Sequence, residues 1–459
     1  MPQLRLAHLS DLHLRHAQPG SAHVVERRSR VMLELLSRAL EEIAQRYVDF
    51  LAITGDLIDV PHHLLYPNDY YAWQQQQELQ RSEAIDDYRA IKQLLDATGM
   101  PYLVLPGNHD YEPAFWEVFD RGPHLVSAGG YAIARFCDRE WEGHVPRRLD
   151  RERKFWARLL SDPNAPPQIH LQHYVITPEL NQGYPHTYFE HEELKRRMVA
   201  SGTMALSLSG HYHSGTDLIR EGACTFTTAP AFCDFPHRYR IYELHDHDVA
   251  SQTHALLQQP HGAGRRAVFL DRDGVINTLA AYSSGPDEMK LIPGSAAAIR
   301  RLREAGFACV VVSNQSAIGM GYVTPETVQG VNERMCRLLR DEAGSPAAEP
   351  DAIFFSRGAE HPCHPVFGDM RDSKPEPHYI HRAAELLGLN LSGSYMIGDR
   401  ASDMEFGHRA GLTAILVRTG AGAESEHDAY IKAHPNCQIS ADLAAAADAI
   451  LANDTSKRI

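Results

Sequence analysis

Phe269-Leu270-Asp271-Arg272-Asp273-Gly274-Val275-Ile276-Asn277 is an apolar strand end that breaks into two carboxylates and a glycine. The preceding Ala267-Val268-Phe269-Leu270 run has the composition of a fully buried strand. Before it, Gln258 to Arg266 is polar and carries Gly and Pro, as a linker does. After it, apolar runs at Cys309–Val312, Ile353–Phe355, Tyr395–Ile397 and Ala414–Val417 alternate with helical patterns at Ser295–Ala305, Pro325–Leu339, His378–Leu387 and Asp403–Ala410. Such alternation predicts an α/β domain with a doubly wound parallel sheet, in which ligands sit at the carboxyl ends of the strands.

Toward the N-terminus the pattern is less regular. Leu4–Leu9, Val48–Ile53, Tyr102–Leu105, Ile169–Gln172 and Met204–Leu208 read as strands, and Thr225 to Leu244 as further strands. Met32, Leu35, Leu36, Ala39 and Ile43 fall on one helical face. This half is expected to be an α/β sandwich with mixed sheets. At 459 residues the chain exceeds one ordinary core. The expected domains are 1–257 and 267–459, joined by a linker at 258–266.

The net charge is −14, with −9 before Gly264 and −5 from there on. Neither half carries the basic stripe that a nucleic-acid backbone selects, so nucleic acid is not an expected partner. No apolar run approaches the roughly 20 residues of a membrane helix, and no signal-peptide core follows Met1. Seven scattered cysteines without a CxxC pair suggest reduced thiols and a cytoplasmic location. The sequence does not decide the oligomeric state.

Five short motifs close predicted strands in the first half. They are Asp11-Leu12-His13, Gly55-Asp56, Gly107-Asn108-His109-Asp110, His173 after Gln172, and Gly210-His211-Tyr212-His213. A single DxH or HxH is commonly a surface pair; five in order at strand ends are a site. Hydrolysis of a phosphate ester at neutral pH needs hydroxide and relief of charge on the phosphoryl group. Two divalent ions about 4 Å apart supply both. A bridging carboxylate with imidazole and oxygen donors suits Mn²⁺, Fe²⁺ or Zn²⁺.

The set resembles the calcineurin-like metallophosphoesterase family. The wording of Leu6-Ala7-His8-Leu9-Ser10-Asp11-Leu12-His13 and Ile53-Thr54-Gly55-Asp56-Leu57 is similar to its class III cyclic-nucleotide phosphodiesterase branch. The resemblance implies that Asp11, His13 and His213 hold one metal, that Asn108, His173 and His211 hold the other, and that Asp56 bridges them. It makes His109 the group that orients substrate or protonates the leaving oxygen, with Asp110 keeping His109 in register. His8, His16 and His23 are read as structural or substrate-facing. His62 to Trp73 reads narrowly as an ordinary packed excursion, with a lid over the site as its alternative, and Asn181 to Phe189 is a second candidate rim.

In the second half, Val311-Val312-Ser313-Asn314-Gln315-Ser316, then Lys374-Pro375, then Ile397-Gly398-Asp399-Arg400-Ala401-Ser402-Asp403 follow the opening motif. These resemble the four motifs of the haloacid dehalogenase superfamily. Their wording is similar to the heptose-bisphosphate and histidinol-phosphate phosphatase branch. The resemblance implies that Asp271 attacks phosphorus and that Asp273 serves as acid and then base. Ser313 and Lys374 neutralise the phosphoryl oxygens. Mg²⁺ is then held by Asp271, the Asp273 carbonyl and Asp399, with Asp403 in support. That branch has a Cys/His zinc loop before its motif lysine. Here the stretch is His361-Pro362-Cys363-His364 to Met370-Arg371-Asp372-Ser373. Met370 and Asp372 stand in place of a Cys-x-Cys pair, so zinc is not expected near Cys363. Ser373 replaces a phosphate-contacting arginine, and Arg371 is its candidate substitute.

The expected function is a bifunctional phosphohydrolase. Its first domain acts on a phosphoester, taken to be a diester, and its second on a phosphomonoester. Expected substrates are small phosphorylated molecules, nucleotides or sugar phosphates. The alternatives are a monoesterase or nucleotidase in the first domain, or a phosphate-ligand sensor or scaffold in either.

Overall fold

Leu4 and Leu6 alternate with Ala7 and Leu9 across the first strand, and the two sets are buried in different layers. A strand with both faces apolar must be covered on both, and that requirement organises the first half. A computed structural model of the chain describes residues 3–22, 24–61, 65, 74–121, 124–256, 264–278, 285–364 and 368–455. The described residues divide into two units, 1–18 with 26–258 and 19–25 with 259–459.

The strands of the first unit are β1 (Gln3–Leu9), β2 (Phe50–Thr54), β3 (Tyr102–Leu105), β4 (Leu125–Ala128), β5 (Tyr131–Arg135), β6 (Arg139–Glu140), β7 (Pro146–Arg147), β8 (Gln168–Leu171), β9 (Met204–Ser209), β10 (Ile219–Glu221), β11 (Cys224–Thr228), β12 (Arg238–His245) and β13 (Asp248–Ala255). One sheet runs β13-β12-β1-β2-β3, and a second runs β10-β11-β9-β8-β5-β4. Each has a parallel centre, β1-β2-β3 and β5-β8-β9-β11, with antiparallel strands outside it. Leu4, Leu6, Phe50, Leu103, Ile133, Leu171 and Leu206 pack between the sheets. Helix Met32–Ala44 covers the outer face of the first sheet through the apolar stripe read in its sequence, joined by Tyr88, Ile91 and Leu95 of helix Gln74–Ala97. Trp156, Leu194 and Met198 cover the outer face of the second. The unit is an α/β sandwich with mixed sheets.

In the second unit β14 (Arg266–Leu270), β15 (Ala308–Asn314), β16 (Ala352–Ser356), β17 (Asn390–Gly398), β18 (Thr413–Val417) and β19 (Gln438–Ser440) form one sheet, in the order β16-β15-β14-β17-β18-β19. Every pair in it is parallel. Val268, Leu270, Val311 and Ile397 pack on one side with Ile299, Leu302, Met335 and Leu443. Phe269, Val310 and Met396 pack on the other with Ile380, Ala383 and Phe406. Helices on both faces of a parallel sheet make it doubly wound. The order reverses at β14, which lies between β15 and β17, so Asp271 emerges at the switch point. No helix of the described residues is long and apolar enough to cross a membrane.

Candidate active sites

The five motifs of the first unit converge. Asp11 follows β1, Asp56 follows β2, Asn108 and His109 follow β3, His173 follows β8, and His211 and His213 follow β9. Four residues of these motifs adopt positive φ: Asp11 at 55°, His13 at 47°, Asp56 at 50° and His211 at 67°. Such conformations are costly for residues with a Cβ and persist where the surroundings over-determine them. The surroundings here are backbone bonds between the loops. Asp11 N–H donates to the Gly55 carbonyl at 3.0 Å, and His13 N–H donates to that of Asp56 at 2.9 Å. Glycine is required around the cluster, since a Cβ on Gly107 would collide with the Asp56 carboxylate and one on Gly210 with Ser10.

Asp56 is central. Its Oδ2 lies 3.6 Å from His13 Nε2 and 3.4 Å from His173 Nε2, and its Oδ1 accepts the His109 N–H at 2.8 Å. His173 Nε2 also faces Asn108 Oδ1 at 3.0 Å, while its Nδ1 faces the Thr54 carbonyl at 2.7 Å. His213 Nε2 lies 3.9 Å from Asp11 Oδ1, and its Nδ1 faces Asp234 at 3.0 Å. Ligand atoms of Asp56, His173 and His211 lie within 4.8 Å of one another, as do those of His13, Asp56 and His109. The Nε2 atoms of His13 and His211 are buried without a hydrogen-bond partner. Burial, reinforced by Arg27, pushes the His13 ring down to about 3, and burial likewise holds His211 well below the usual range. Two buried imidazoles with orphaned nitrogens close to the Asp56 carboxylate are a donor set that fits divalent metal ions.

Asp110 does not hold His109 in register. Its carboxylate accepts the backbone N–H groups of Leu57, Ile58 and Gly107 and the Tyr88 hydroxyl. Burial, with the Asp56 charge, pushes it up to about 7. The partner of His109 is Asp59, which sequence reasoning missed. Asp59 Oδ1 lies 3.0 Å from His109 Nδ1 and 3.1 Å from His13 Nδ1, and Arg15 and Arg27 fix the same carboxylate. His8 is buried on Thr54 at 2.8 Å and is structural. Gln172 donates to Ser207 Oγ, the Leu208 carbonyl and Ser209 Oγ.

Of the two candidate rims, 181–189 reaches the cluster, with the His186 ring 5.0 Å and the Tyr184 ring 5.6 Å from that of His211. Apart from Leu65, the stretch from His62 to Trp73 lies outside the described residues, as does His23. A cavity of about 440 Å³ beside Asn108 is lined by Trp141 and His144 of the β6-β7 hairpin, which the sequence did not announce.

In the second unit Asp271, Asp273, Ser313 and Lys374 line one cavity of about 500 Å³ with Gln315 and Arg400. Lys374 Nζ lies 2.8 Å from Asp271 Oδ1 and 2.6 Å from Asp403 Oδ1. Burial pushes the Asp271 carboxyl up to about 6 against the pull of the Lys374 ammonium. Asp273 accepts from Arg272 Nη2 at 2.8 Å, Asn277 at 2.9 Å and Gln315 at 2.9 Å, and Gln315 also donates to Ser313 Oγ at 2.8 Å. Asp399 is buried, takes the Ala421 N–H on Oδ2 at 2.7 Å, and leaves Oδ1 without a hydrogen-bond partner. Ligand oxygens of Asp271, Asp399 and Asp403 lie within 4.8 Å of one another. An all-oxygen donor set with one orphaned carboxylate oxygen fits a hard cation such as Mg²⁺. Asp403 also caps its helix through the Arg400 N–H at 3.0 Å. Arg371 is exposed and bound to Asp369 at 2.6 Å, so it does not replace the missing arginine in the cavity.

Comparison with known proteins matches residues 4–215 to the calcineurin-like phosphoesterase family and residues 372–446 to a HAD-hydrolase-like family. The D-glycero-D-manno-heptose-1,7-bisphosphate 7-phosphatase of Thermosynechococcus vestitus is 38% identical over 188 residues, which are 40% of this chain and 94% of that protein. The corresponding Escherichia coli K12 enzyme is 37% identical over 158 residues, 34% of this chain and 80% of its own. Among solved structures, a D,D-heptose 1,7-bisphosphate phosphatase from B. bronchiseptica, complexed with magnesium and phosphate, is 30% identical with a TM-score of 0.35; the match spans 41% of this chain and 99% of that one. A dimetal phosphatase from Danio rerio is 14% identical with a TM-score of 0.41, over 56% of this chain and 100% of that one.

Proposed function

We propose, for a chain that belongs to the calcineurin-like phosphoesterases in its first half and to the HAD-type phosphatases in its second, that it hydrolyses phosphodiesters at one site and phosphomonoesters at the other. Hydrolysis of phosphoric esters is common to both families, and both use divalent metals. The observation that carries the finer reading is Asp56, one carboxylate set between the imidazoles of His13 and His173.

In this reading the first domain spans 1–257 and would hold two divalent ions, Mn²⁺, Fe²⁺ or Zn²⁺. Asp11, His13 and His213 would hold one, Asn108, His173 and His211 the other, and Asp56 would serve both. Bound there, the ions would supply hydroxide near neutral pH and neutralise phosphoryl charge. His109, steadied by Asp59, gives a proton to the leaving oxygen.

The second domain spans 267–459, after a linker at 258–266. Asp271 attacks phosphorus, forming a carboxylate–phosphorus bond as the ester P–O bond breaks. Asp273 protonates the departing alcohol oxygen and then takes a proton from the water that cleaves the aspartyl-phosphate. Lys374 and Ser313 hold the phosphoryl oxygens. Mg²⁺ would be held by Asp271, the Asp273 carbonyl and Asp399, and would balance the charge of the transferring group. The relatives named for heptose bisphosphate suggest a small sugar phosphate as substrate. With Ser373 buried and Arg371 directed to Asp369, a second phosphate lacks that arginine. We therefore favour a sugar monophosphate over the bisphosphate. All seven cysteines are free thiols, as in a reducing cytoplasm.

The test is a phosphoester panel on the intact chain, Asp56→Asn and Asp271→Asn. The Mn²⁺-dependent cleavage of bis-p-nitrophenyl phosphate should vanish in Asp56→Asn alone, and the Mg²⁺-dependent monoesterase in Asp271→Asn alone. Full diesterase activity in Asp56→Asn, with metal content unchanged, overturns the first assignment. A monoesterase that survives Asp271→Asn overturns the second.

A further inference from the structure

Cys233 is fully buried, and no motif draws attention to it. Its Sγ and one ring nitrogen each of His13 and His213 all lie within 4.8 Å of one another. The Nδ1 atoms of both rings are engaged, on Asp59 at 3.1 Å and on Asp234 at 3.0 Å. The Nε2 atoms are left to face inward, and that of His13, on a side chain with no exposure, has no hydrogen-bond partner. The sulfur therefore borders the space that these imidazoles face.

The backbone sets it there. Cys233 N–H donates to the Asp11 carbonyl at 3.0 Å, and Phe232 N–H donates to that of Ser10 at 2.9 Å. The segment after β11 is thus stitched to the loop that carries Asp11 and His13, without any use of the thiol itself. Among the described residues the thiol has one weak hydrogen bond, to Asp234 Oδ1 at 3.6 Å. A thiol that coordinates a divalent ion is deprotonated outright.

We propose that Cys233 is an additional metal ligand of the first domain, a thiolate that joins Asp11, His13 and His213. The S–H proton leaves to solvent as the sulfur–metal bond forms. A soft donor among imidazoles biases the position toward Zn²⁺ over Mn²⁺. The inference rests on the dinuclear-metal reading of this domain.

The full-length chain, with the exposed Cys363 replaced by serine, is loaded with zinc alone and studied by X-ray absorption at the zinc edge. A sulfur neighbour at about 2.3 Å is expected. It should disappear on adding Cys233→Ser, with the zinc-over-manganese preference falling at least about tenfold. Zinc retained with only nitrogen and oxygen neighbours, or a sulfur signal that survives Cys233→Ser, overturns the ligand role and leaves the dinuclear reading standing. A chain that retains no zinc overturns the ligand role, and one that retains neither zinc nor manganese overturns both. The measurement on the Cys363→Ser chain decides the matter even where Cys233→Ser does not fold.

Discussion

Asp59 carries more of the first site than its place in the sequence suggests. Two imidazoles and two guanidinium groups meet on one carboxylate. Burial opposes its charge, but the His109 and His13 hydrogen bonds hold the carboxyl well below the usual range. Asp59→Asn keeps the shape and removes the charge that orients both rings. Diesterase kcat at saturating Mn²⁺ should fall about 10–100-fold, the usual cost of losing a group that orients a ligand. Asp110→Asn tests the other carboxylate. Asp110 holds backbone rather than His109, so this change should lower stability to urea by about 1–3 kcal/mol, with a smaller loss of kcat than in Asp59→Asn. The residues that cluster around Asp56 were legible because each belongs to a short motif whose chemistry is hard to explain otherwise. Asp59 was not, since Asp56-Leu57-Ile58-Asp59 reads as one carboxylate leaving a strand and another in a turn. Only the fold shows that Leu57 and Ile58 turn into the core and leave Asp59 beneath the histidines.

At the scale of elements, the second site depends on the turns that end its strands. Gly274 and Gly420 have φ of 87° and 59°, and a Cβ on either would collide with Asp399 Oδ2. The two turns form a cradle that fixes the carboxylate proposed to hold Mg²⁺. Gly420→Ala should therefore raise the Mg²⁺ concentration needed for half-maximal monoesterase activity about 10–100-fold, with diesterase activity unchanged; a magnesium titration of both activities checks it. The parallel strands leading to these turns were readable because strands buried on both faces are continuous apolar runs. The β6-β7 hairpin was not. Its two-residue strands are too short to show a period, yet they place Trp141 and His144 beside Asn108. The sequence pointed instead to 62–73 and 181–189, of which the second does approach His211.

At the scale of the whole molecule, one chain joins two domains of phosphoester-hydrolysing families, each with the side-chain cluster proposed above to act. A phosphodiester cleaved once leaves a phosphomonoester, and a monoester is the bond class assigned to Asp271. The two reactions are chemically consecutive, so a common substrate can be followed through both. With bis-p-nitrophenyl phosphate, the intact chain supplied with Mn²⁺ and Mg²⁺ should release inorganic phosphate, with p-nitrophenyl phosphate passing as an intermediate. In Asp271→Asn the same reaction should stop at p-nitrophenyl phosphate, because the carboxylate proposed to attack is gone while the Asp56 cluster of the first domain is untouched. In Asp56→Asn neither product should form from the diester, although added p-nitrophenyl phosphate should still be hydrolysed. Phosphate and the monoester are measured separately over time. If the monoester accumulates in the intact chain as it does in Asp271→Asn, the second site rejects the product of the first. The pairing then joins two activities with separate substrates rather than two steps on one molecule.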